Sequence, residues 1–236
     1  MLELKDITYE IQEDSKTKKI LDNVSCVFDH GTIAITGHNG SGKSTLTKII
    51  MGIVKPTSGK VFFNGLDITN LSIDERAKLG LNYAFQQPVA FKGITVKDLI
   101  DLATNKNNSV PKACEYLSKV GICAKEYLTR EFDKTLSGGE QKRIELALAL
   151  AKDGECYIFD EPEAGIDLWS FDKLNTVFKN GKLNIVVSHQ EKLLKQANKV
   201  LVLDHGKVKE FASPNKILDK LTAFTCEKIG GANGIR

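Results

Sequence analysis

Residues 37 to 44 have types and spacing that could bind a polyphosphate, since they read Gly-His-Asn-Gly-Ser-Gly-Lys-Ser. The octapeptide fits G-x-x-x-x-G-K-[ST], the pattern of a loop that holds nucleotide phosphates. Glycines let backbone N–H groups approach phosphate oxygens closely, because no Cβ blocks them. Lys43 would bring a mobile positive charge to the outer phosphates, and the Ser44 hydroxyl would bind Mg²⁺. The predicted nucleotide-binding residues of this loop are Gly37, His38, Asn39, Gly40, Ser41, Gly42, Lys43, Ser44 and Thr45.

Two carboxylates end a short apolar run at residues 156–159. In a Mg²⁺-nucleotide site, Asp160 would hold the metal through its water shell. Glu161, one residue on, would orient or deprotonate the attacking water. An ordinary strand end also presents such pairs, but the phosphate loop in the same chain favours the catalytic interpretation.

A third segment, residues 136–143, reads Leu-Ser-Gly-Gly-Glu-Gln-Lys-Arg. Ser137 and Glu140 have the spacing of a capping box and predict a helix that runs to about residue 152. Gly138 and Gly139 would weaken the first turn, because a glycine costs roughly 1 kcal/mol relative to alanine in a helix interior and less at a helix end. We therefore expect an anion to approach this backbone, as at other phosphate-binding helix N-termini.

The elements that must position these residues follow from the apolar pattern. Short apolar strands are predicted at 24–28, 32–36, 60–63, 156–159, 184–188 and 200–204, and a helix is expected directly after the phosphate loop. Buried strands separated by helices indicate a parallel sheet covered on both faces. Residues 88–136 have the apolar spacing of helices, with helices expected at 96–104 and 111–120. We expect segments at 1–87, 88–136, 137–212 and 213–236, the last a helix and a flexible tail.

Composition narrows the class of protein further. The chain has 236 residues, 42% of them hydrophobic, which suits one large α/β domain. A net charge of +3 gives no electrostatic reason to expect nucleic acid as a partner. The N-terminus lacks a signal-peptide pattern, and the longest apolar runs are too short to span a bilayer. Five cysteines without a C-x-x-C pair indicate reduced thiols. We expect a cytoplasmic protein that meets a membrane only through a partner.

With these motifs in order, the chain resembles the ATPase subunits of the ABC superfamily over nearly its whole length, residues 136–140 matching their LSGGE signature. The resemblance implies an α/β P-loop NTPase core with a mostly parallel sheet, an N-terminal antiparallel β-subdomain and an inserted helical subdomain. It implies ATP and Mg²⁺ as ligands. Gln86 then matches a glutamine that contacts Mg²⁺, His189 a histidine that senses the γ-phosphate, and Asp167 a loop that crosses to a second subunit. Ile11 stands where many relatives stack an aromatic ring on adenine, and Tyr9 is a possible substitute.

The resemblance also implies an ATP-dependent head-to-tail dimer. The phosphate loop of one copy would meet the signature residues of the other, Ser137, Gly138, Gly139 and Glu140, across the nucleotide. Closing on ATP and opening after hydrolysis would be the useful motion.

Two branches of the superfamily fit these motifs, and they differ in the partner of the ATPase. Residues 71–77 with 84–89, 138–145 and 189–194 resemble SufC-like ATPases, which act with SufB/SufD-type scaffold proteins in iron–sulfur cluster assembly. Gln141, Ile144, Pro162 and Ala164 depart from the SufC pattern, and Asp-Glu-Pro is commoner in transporters. We expect a SufC-like ATPase, with the ATP-binding subunit of a membrane transporter and its permease as the alternative. Intact Glu161 and His189 argue against a regulator without turnover.

Overall fold

The computed structural model describes residues 1–13, 16–104, 110–164, 177–178 and 181–219. Within these ranges, one sheet has four strands in the order β2-β1-β4-β5, and its neighbouring strands pair antiparallel. Its strands are β1 (Leu2–Glu13), β2 (Lys16–Phe28), β4 (Ser58–Phe63) and β5 (Leu66–Asp67). This is the expected N-terminal antiparallel β-subdomain.

A second sheet has six strands in the described ranges, in the order β10-β9-β3-β8-β7-β6. Its strands are β3 (Thr32–Thr36), β6 (Leu81–Ala84), β7 (Cys156–Asp160), β8 (Leu183–Val187), β9 (Lys199–Asp204) and β10 (Lys207–Ala212). Only the β9–β10 pairing is antiparallel among them. Every residue of β3, β7 and β8 is buried, as in parallel sheets covered on both faces. The carboxyl ends of these strands share one edge, where α/β proteins bind ligands.

The helices bear out most of the sequence expectations. They are α1 (Lys43–Met51), α2 (Ile73–Lys78), α3 (Val96–Ala103), α4 (Val110–Lys119), α5 (Ala124–Tyr127), α6 (Gly138–Ala151) and α7 (Glu191–Gln196), followed by helical residues 214–219. Helix α1 directly follows the phosphate loop, and α6 begins at the predicted capping box. The short helices α2 and α7 were not predicted, because six residues give too little periodicity to read.

Two large apolar clusters of the described residues, beside a smaller third one around Ala34 and Leu194, hold these elements together. One lies between the antiparallel sheet, α1 and the parallel sheet, and includes Leu4, Leu21, Ile35 and Leu46. The other joins α3, α4 and α6 to β7 and β8. The helices of the 88–136 segment therefore pack on α6, and through α6 on the strands that end at the site. The segment boundaries themselves stay a prediction.

Arg76 is a buried cation that ties α1 to α2, with only 1% of its surface exposed. Its Nη1 donates to the carbonyls of Ile49 and Ile50, at 2.7 Å each, in the last turn of α1. Its Nη2 donates to the carbonyl of Thr69 at 2.8 Å. A positive charge is favourable here, because the last carbonyls of a helix lack partners and form the negative end of its dipole.

We expect Arg76→Met to destabilise the fold, because it takes the guanidinium donors away from the carbonyls of Ile49, Ile50 and Thr69. Urea unfolding should show a loss of about 3 kcal/mol, in the range for removing charge-assisted bonds from buried groups. Lys78→Met is the matched control, since Lys78 lies on the same helix and pairs with Asp74 in an exposed i,i+4 contact. That variant should change stability by less than about 0.5 kcal/mol. Equal losses in both variants would contradict a capping role for Arg76.

Candidate nucleotide-binding and catalytic site

The phosphate loop joins β3 to α1, and at two of its positions the backbone conformation and the close neighbours admit only glycine. Gly37 and Gly42 have φ values of 146° and 98°. A Cβ at Gly37 would lie 2.0 Å from the carbonyl oxygen of Leu203, and one at Gly42 would lie 2.6 Å from Leu21 Cδ2. Gly42 is the N-cap of α1 and contributes no side-chain capping bond. The first N–H groups of α1 are thus available to an anion.

Lys43 curls back over the loop that precedes it. Its Nζ donates to the carbonyl of Gly37 at 2.8 Å and to that of His38 at 2.9 Å. An ammonium group has three donors, so one remains for a phosphate oxygen. Burial lowers the pKa of Lys43, while the nearby carboxylates of Glu161 and Asp160 act in the opposite direction. The lysine is therefore held in place as a point charge at the loop.

Asp160 is anchored on both of its oxygens. Ser44 Oγ donates to Oδ1 at 3.1 Å, and the Tyr83 hydroxyl donates to Oδ2 at 3.0 Å. Thr47 Oγ1 lies 3.2 Å from the same tyrosine oxygen. Burial and the charge of Asp160 raise the pKa of Tyr83, which keeps the phenol protonated as a donor.

These oxygens fit Mg²⁺, which prefers one or two protein oxygen ligands together with phosphates. Ser44 and Asp160, predicted as metal ligands, meet at hydrogen-bond distance at the mouth of the phosphate loop. Tyr83 was not predicted. Its signal in the sequence is only its place near the end of a strand that turns out to neighbour β7.

Glu161 leaves the strand in a different direction from Asp160. Its φ of 48° is a left-handed conformation that glutamate rarely adopts. Its backbone N–H donates to the carbonyl of Val187 at 3.0 Å, which holds this turn. Gln86 Nε2 donates to Glu161 Oε2 at 2.6 Å, so the predicted glutamine and the predicted base are in direct contact.

His189 follows β8 and reaches the phosphate loop. Together with Gly37, His38 and Asn39 it lines a cavity of about 640 Å³. Burial lowers the pKa of His189, and the positive charge of Lys43 lowers it further. The neutral imidazole, one nitrogen of which can donate, is thereby favoured near neutral pH.

The signature segment is an exposed helix start. Ser137 Oγ accepts from the Glu140 N–H at 3.3 Å, and the Glu140 carboxylate accepts from the Ser137 N–H at 2.7 Å, which confirms the capping box. The Tyr127 hydroxyl also donates to Glu140, and this bond lowers the pKa of Glu140. A Cβ on Gly138 would meet no atom within 4 Å, so this surface has room for an approaching molecule.

Three further predicted residues are less defined by the structure. Tyr9 lies opposite Leu21 in the β1–β2 pairing, and Leu21 contacts the Gly42 position. Ile11 lies opposite Lys18, further along the same strands. Both side chains are half-buried, and their contact with adenine stays a prediction. Asp167 lies outside the described residues.

In the part of the chain that the structure describes, every helix is too short or too polar to span a lipid bilayer.

Comparison with known proteins identifies the family of the chain. A family model described as ABC transporter matches residues 21–164. An uncharacterized ABC transporter ATP-binding protein of Methanocaldococcus jannaschii is 39% identical over 213 residues, 85% of each chain. The energy-coupling factor transporter ATP-binding protein EcfA1 of Mycoplasmopsis synoviae is 34% identical, over 97% of this chain and 89% of its own length. The dimeric structure of a bacterial ABC transporter cassette superposes with a TM-score of 0.82 at 25% identity, over 91% of this chain and 99% of that one.

These relatives are transporter ATPases, so they do not support the expected SufC-like branch. The structure gives a physical reason why the sequence was misleading. Arg76 caps α1, Glu75 closes a capping box on α2, and Glu140 closes one on α6. These three residues lie in stretches that suggested SufC, and their contacts serve local structure, which says nothing about the partner.

Proposed function

The chain belongs to the ABC transporter family of ATPases, and on this premise we propose that it is the ATP-binding subunit of a membrane transporter. It would bind a membrane permease at the cytoplasmic face and drive it by binding and hydrolysing ATP. The observation that supports this most is the likeness to transporter ATP-binding proteins over 85% or more of the chain. The partner of this proposal is therefore a permease and not a SufB/SufD-type scaffold.

We assign the site residues by their geometry. The N–H groups of residues 37–45 and the Lys43 ammonium hold the phosphates. Ser44 and Asp160 hold Mg²⁺, with the side-chain amide oxygen of Gln86 as a third candidate ligand. A bound Mg²⁺ would neutralise charge that develops on the phosphate oxygens. Glu161 orients and deprotonates the attacking water, and His189 donates a hydrogen bond to the γ-phosphate.

Gln86 connects this chemistry to the helical segment. Its amide holds Glu161, so a movement of the chain around residue 86 would shift the base relative to the phosphate. Two copies arranged head to tail would add the signature residues Ser137 to Glu140, and a crossing loop with Asp167, to the opposite site. The exposed capping box and the open surface at Gly138 support this arrangement.

An apolar groove beside Gln86 is the surface that we propose for the permease. It has a volume of about 430 Å³ and lies between the parallel sheet and the helices α3 and α6. Among its lining residues, Phe85, Val89 and Phe91 each expose 41–57% of their surface. Large apolar side chains clustered in the open typically mark protein contacts. A partner segment seated here would touch Phe85 and Val89, which lie close to Gln86 in the sequence.

We expect Phe91→Glu to weaken stimulation of the ATPase by the permease. The test compares turnover with and without the protein that co-purifies with the tagged chain from detergent-solubilised membranes. A carboxylate in the apolar groove should reduce the stimulated-to-unstimulated ratio about tenfold, as for a lost interface hot spot. Val110→Glu is the matched control, since Val110 is 57% exposed but does not line the groove.

Two outcomes would contradict the proposal. Equal stimulation of both variants would exclude the groove as the docking surface. A partner that purifies without detergent and carries iron on its cysteines would replace the transporter role by cluster assembly.

A further inference from the structure

Lys142 is a buried lysine in the second turn of α6, and its side chain is 1% exposed. Its Nζ donates to the carbonyl of Phe85, and it lies 3.4 Å from the carbonyl oxygen of Asp160 and 3.5 Å from that of Gln86. The ammonium therefore sits where β6 and β7 end, behind the proposed metal ligand and the proposed base.

Glu145 completes a grip on the same segment. Its Oε2 accepts from Lys142 Nζ at 3.2 Å, and its Oε1 accepts from the Phe85 N–H at 2.8 Å. The backbone N–H and C=O of Phe85 are thus both bound by side chains of α6. Burial raises the pKa of Glu145, and the charge of Lys142 opposes that rise. We call Lys142 and Glu145 the α6 clamp.

The α6 clamp contributes little net stability to the fold. Taking two ions out of water offsets most of their attraction, so apolar residues of similar volume often stabilise a protein equally well. What the pair provides is a fixed position for the Phe85 backbone, since charge-assisted hydrogen bonds hold it at one place relative to α6. The N-cap of α6 is Ser137, five residues from Lys142 and about 7.5 Å away along a rigid helix axis.

We propose that the α6 clamp is a positioning device that links the signature segment to the catalytic base. It holds the end of β6 against α6, so that the placement of Ser137 to Glu140 sets the hydrogen bond between Gln86 and Glu161. This inference rests on the roles of Gln86 and Glu161 assigned under the proposed function. Lys142 acts through Gln86 and does not itself touch the nucleotide.

A double-mutant cycle on the full chain tests this link. ATP hydrolysis is measured for Lys142→Met, Gln86→Ala and the combined variant. We expect Lys142→Met to lower kcat about tenfold with KM within about twofold, because it misplaces the base and leaves ATP binding intact. In the Gln86→Ala background the same substitution should cost less than about twofold, since residues that act through one another are not additive.

A second variant separates positioning from stability. Lys142→Met with Glu145→Met replaces the buried pair by apolar side chains and leaves no uncompensated charge. Its thermal unfolding should match the wild type while kcat stays about tenfold low. If Lys142→Met alone fails to fold, this pair variant takes its place in the cycle.

Three outcomes of these measurements would contradict the proposal or the role assigned to Gln86. If the two losses multiply in the cycle, the clamp does not act through Gln86 and the proposal is wrong. If the apolar pair restores kcat, the clamp is only structural. If Gln86→Ala leaves kcat unchanged, the role assigned to Gln86 falls as well, which distinguishes failure of the assigned mechanism from failure of the clamp.

Discussion

Glu161→Gln should abolish ATP turnover while the protein still binds ATP. The amide keeps the size of the carboxylate but takes no proton from water at neutral pH, so kcat should fall about 100-fold or more, as for loss of a general base. The hydrogen bond from Gln86 Nε2 to the remaining side-chain oxygen can persist. ATP that is bound and not cleaved should then hold two copies together. Size-exclusion chromatography with light scattering would report the dimer in the presence of Mg²⁺ and ATP.

The matched control is Glu155→Gln, which removes an exposed carboxylate just before the start of the same strand, β7. This variant should retain turnover within about twofold, as is usual for surface substitutions. Wild-type rates in Glu161→Gln would exclude Glu161 as the base. A slow variant that stays monomeric with ATP would keep the base and exclude the head-to-tail dimer.

Lys43→Ala should be the variant with the largest loss of ATP affinity. It removes the only side-chain ammonium of the phosphate loop, and a charge-assisted bond to phosphate contributes about 1.5–3 kcal/mol, so Kd should rise roughly 10- to 100-fold. Isothermal titration with the magnesium salt of ATP measures this directly. Lys48→Ala is the control, because Lys48 is exposed later on the same helix.

Unfolding curves of both lysine variants complete this experiment. Lys43 also donates to two loop carbonyls, so its removal takes away these hydrogen bonds as well as the charge. A matching Kd for Lys43→Ala and Lys48→Ala would contradict the assignment of the phosphate site.

The sequence was most informative where neighbouring residues act together. The phosphate loop, the two carboxylates at the end of β7 and the capping box of α6 each occupy fewer than ten consecutive residues, so spacing alone is enough to predict a role for each of them. The predicted strands at 32–36 and 156–159 are present in the structure for a similar reason, since continuous apolar runs between turns are typical of buried parallel strands.

Contacts between distant segments could not be predicted in this way. Tyr83 meets Asp160 only because β6 and β7 pair, and Lys142 reaches Phe85 only because α6 packs across their ends. Charged residues in a helix are normally exposed, so the sequence offered no reason to bury Lys142 or Arg76. The partner was the least predictable feature, because several residues of the stretches taken to indicate it, such as Arg76 and Glu140, make contacts inside the chain.

The left-handed backbone at Glu161 restricts what evolution and the experimenter can place there. Valine, isoleucine and threonine are excluded on steric grounds, since branching at Cβ clashes in this region of the Ramachandran map. Glycine, asparagine and aspartate would relieve the torsional strain, but all three shorten the reach toward a water molecule. Glutamine inherits the strain unchanged, so among single substitutions it isolates the loss of basicity from any relaxation of the main chain.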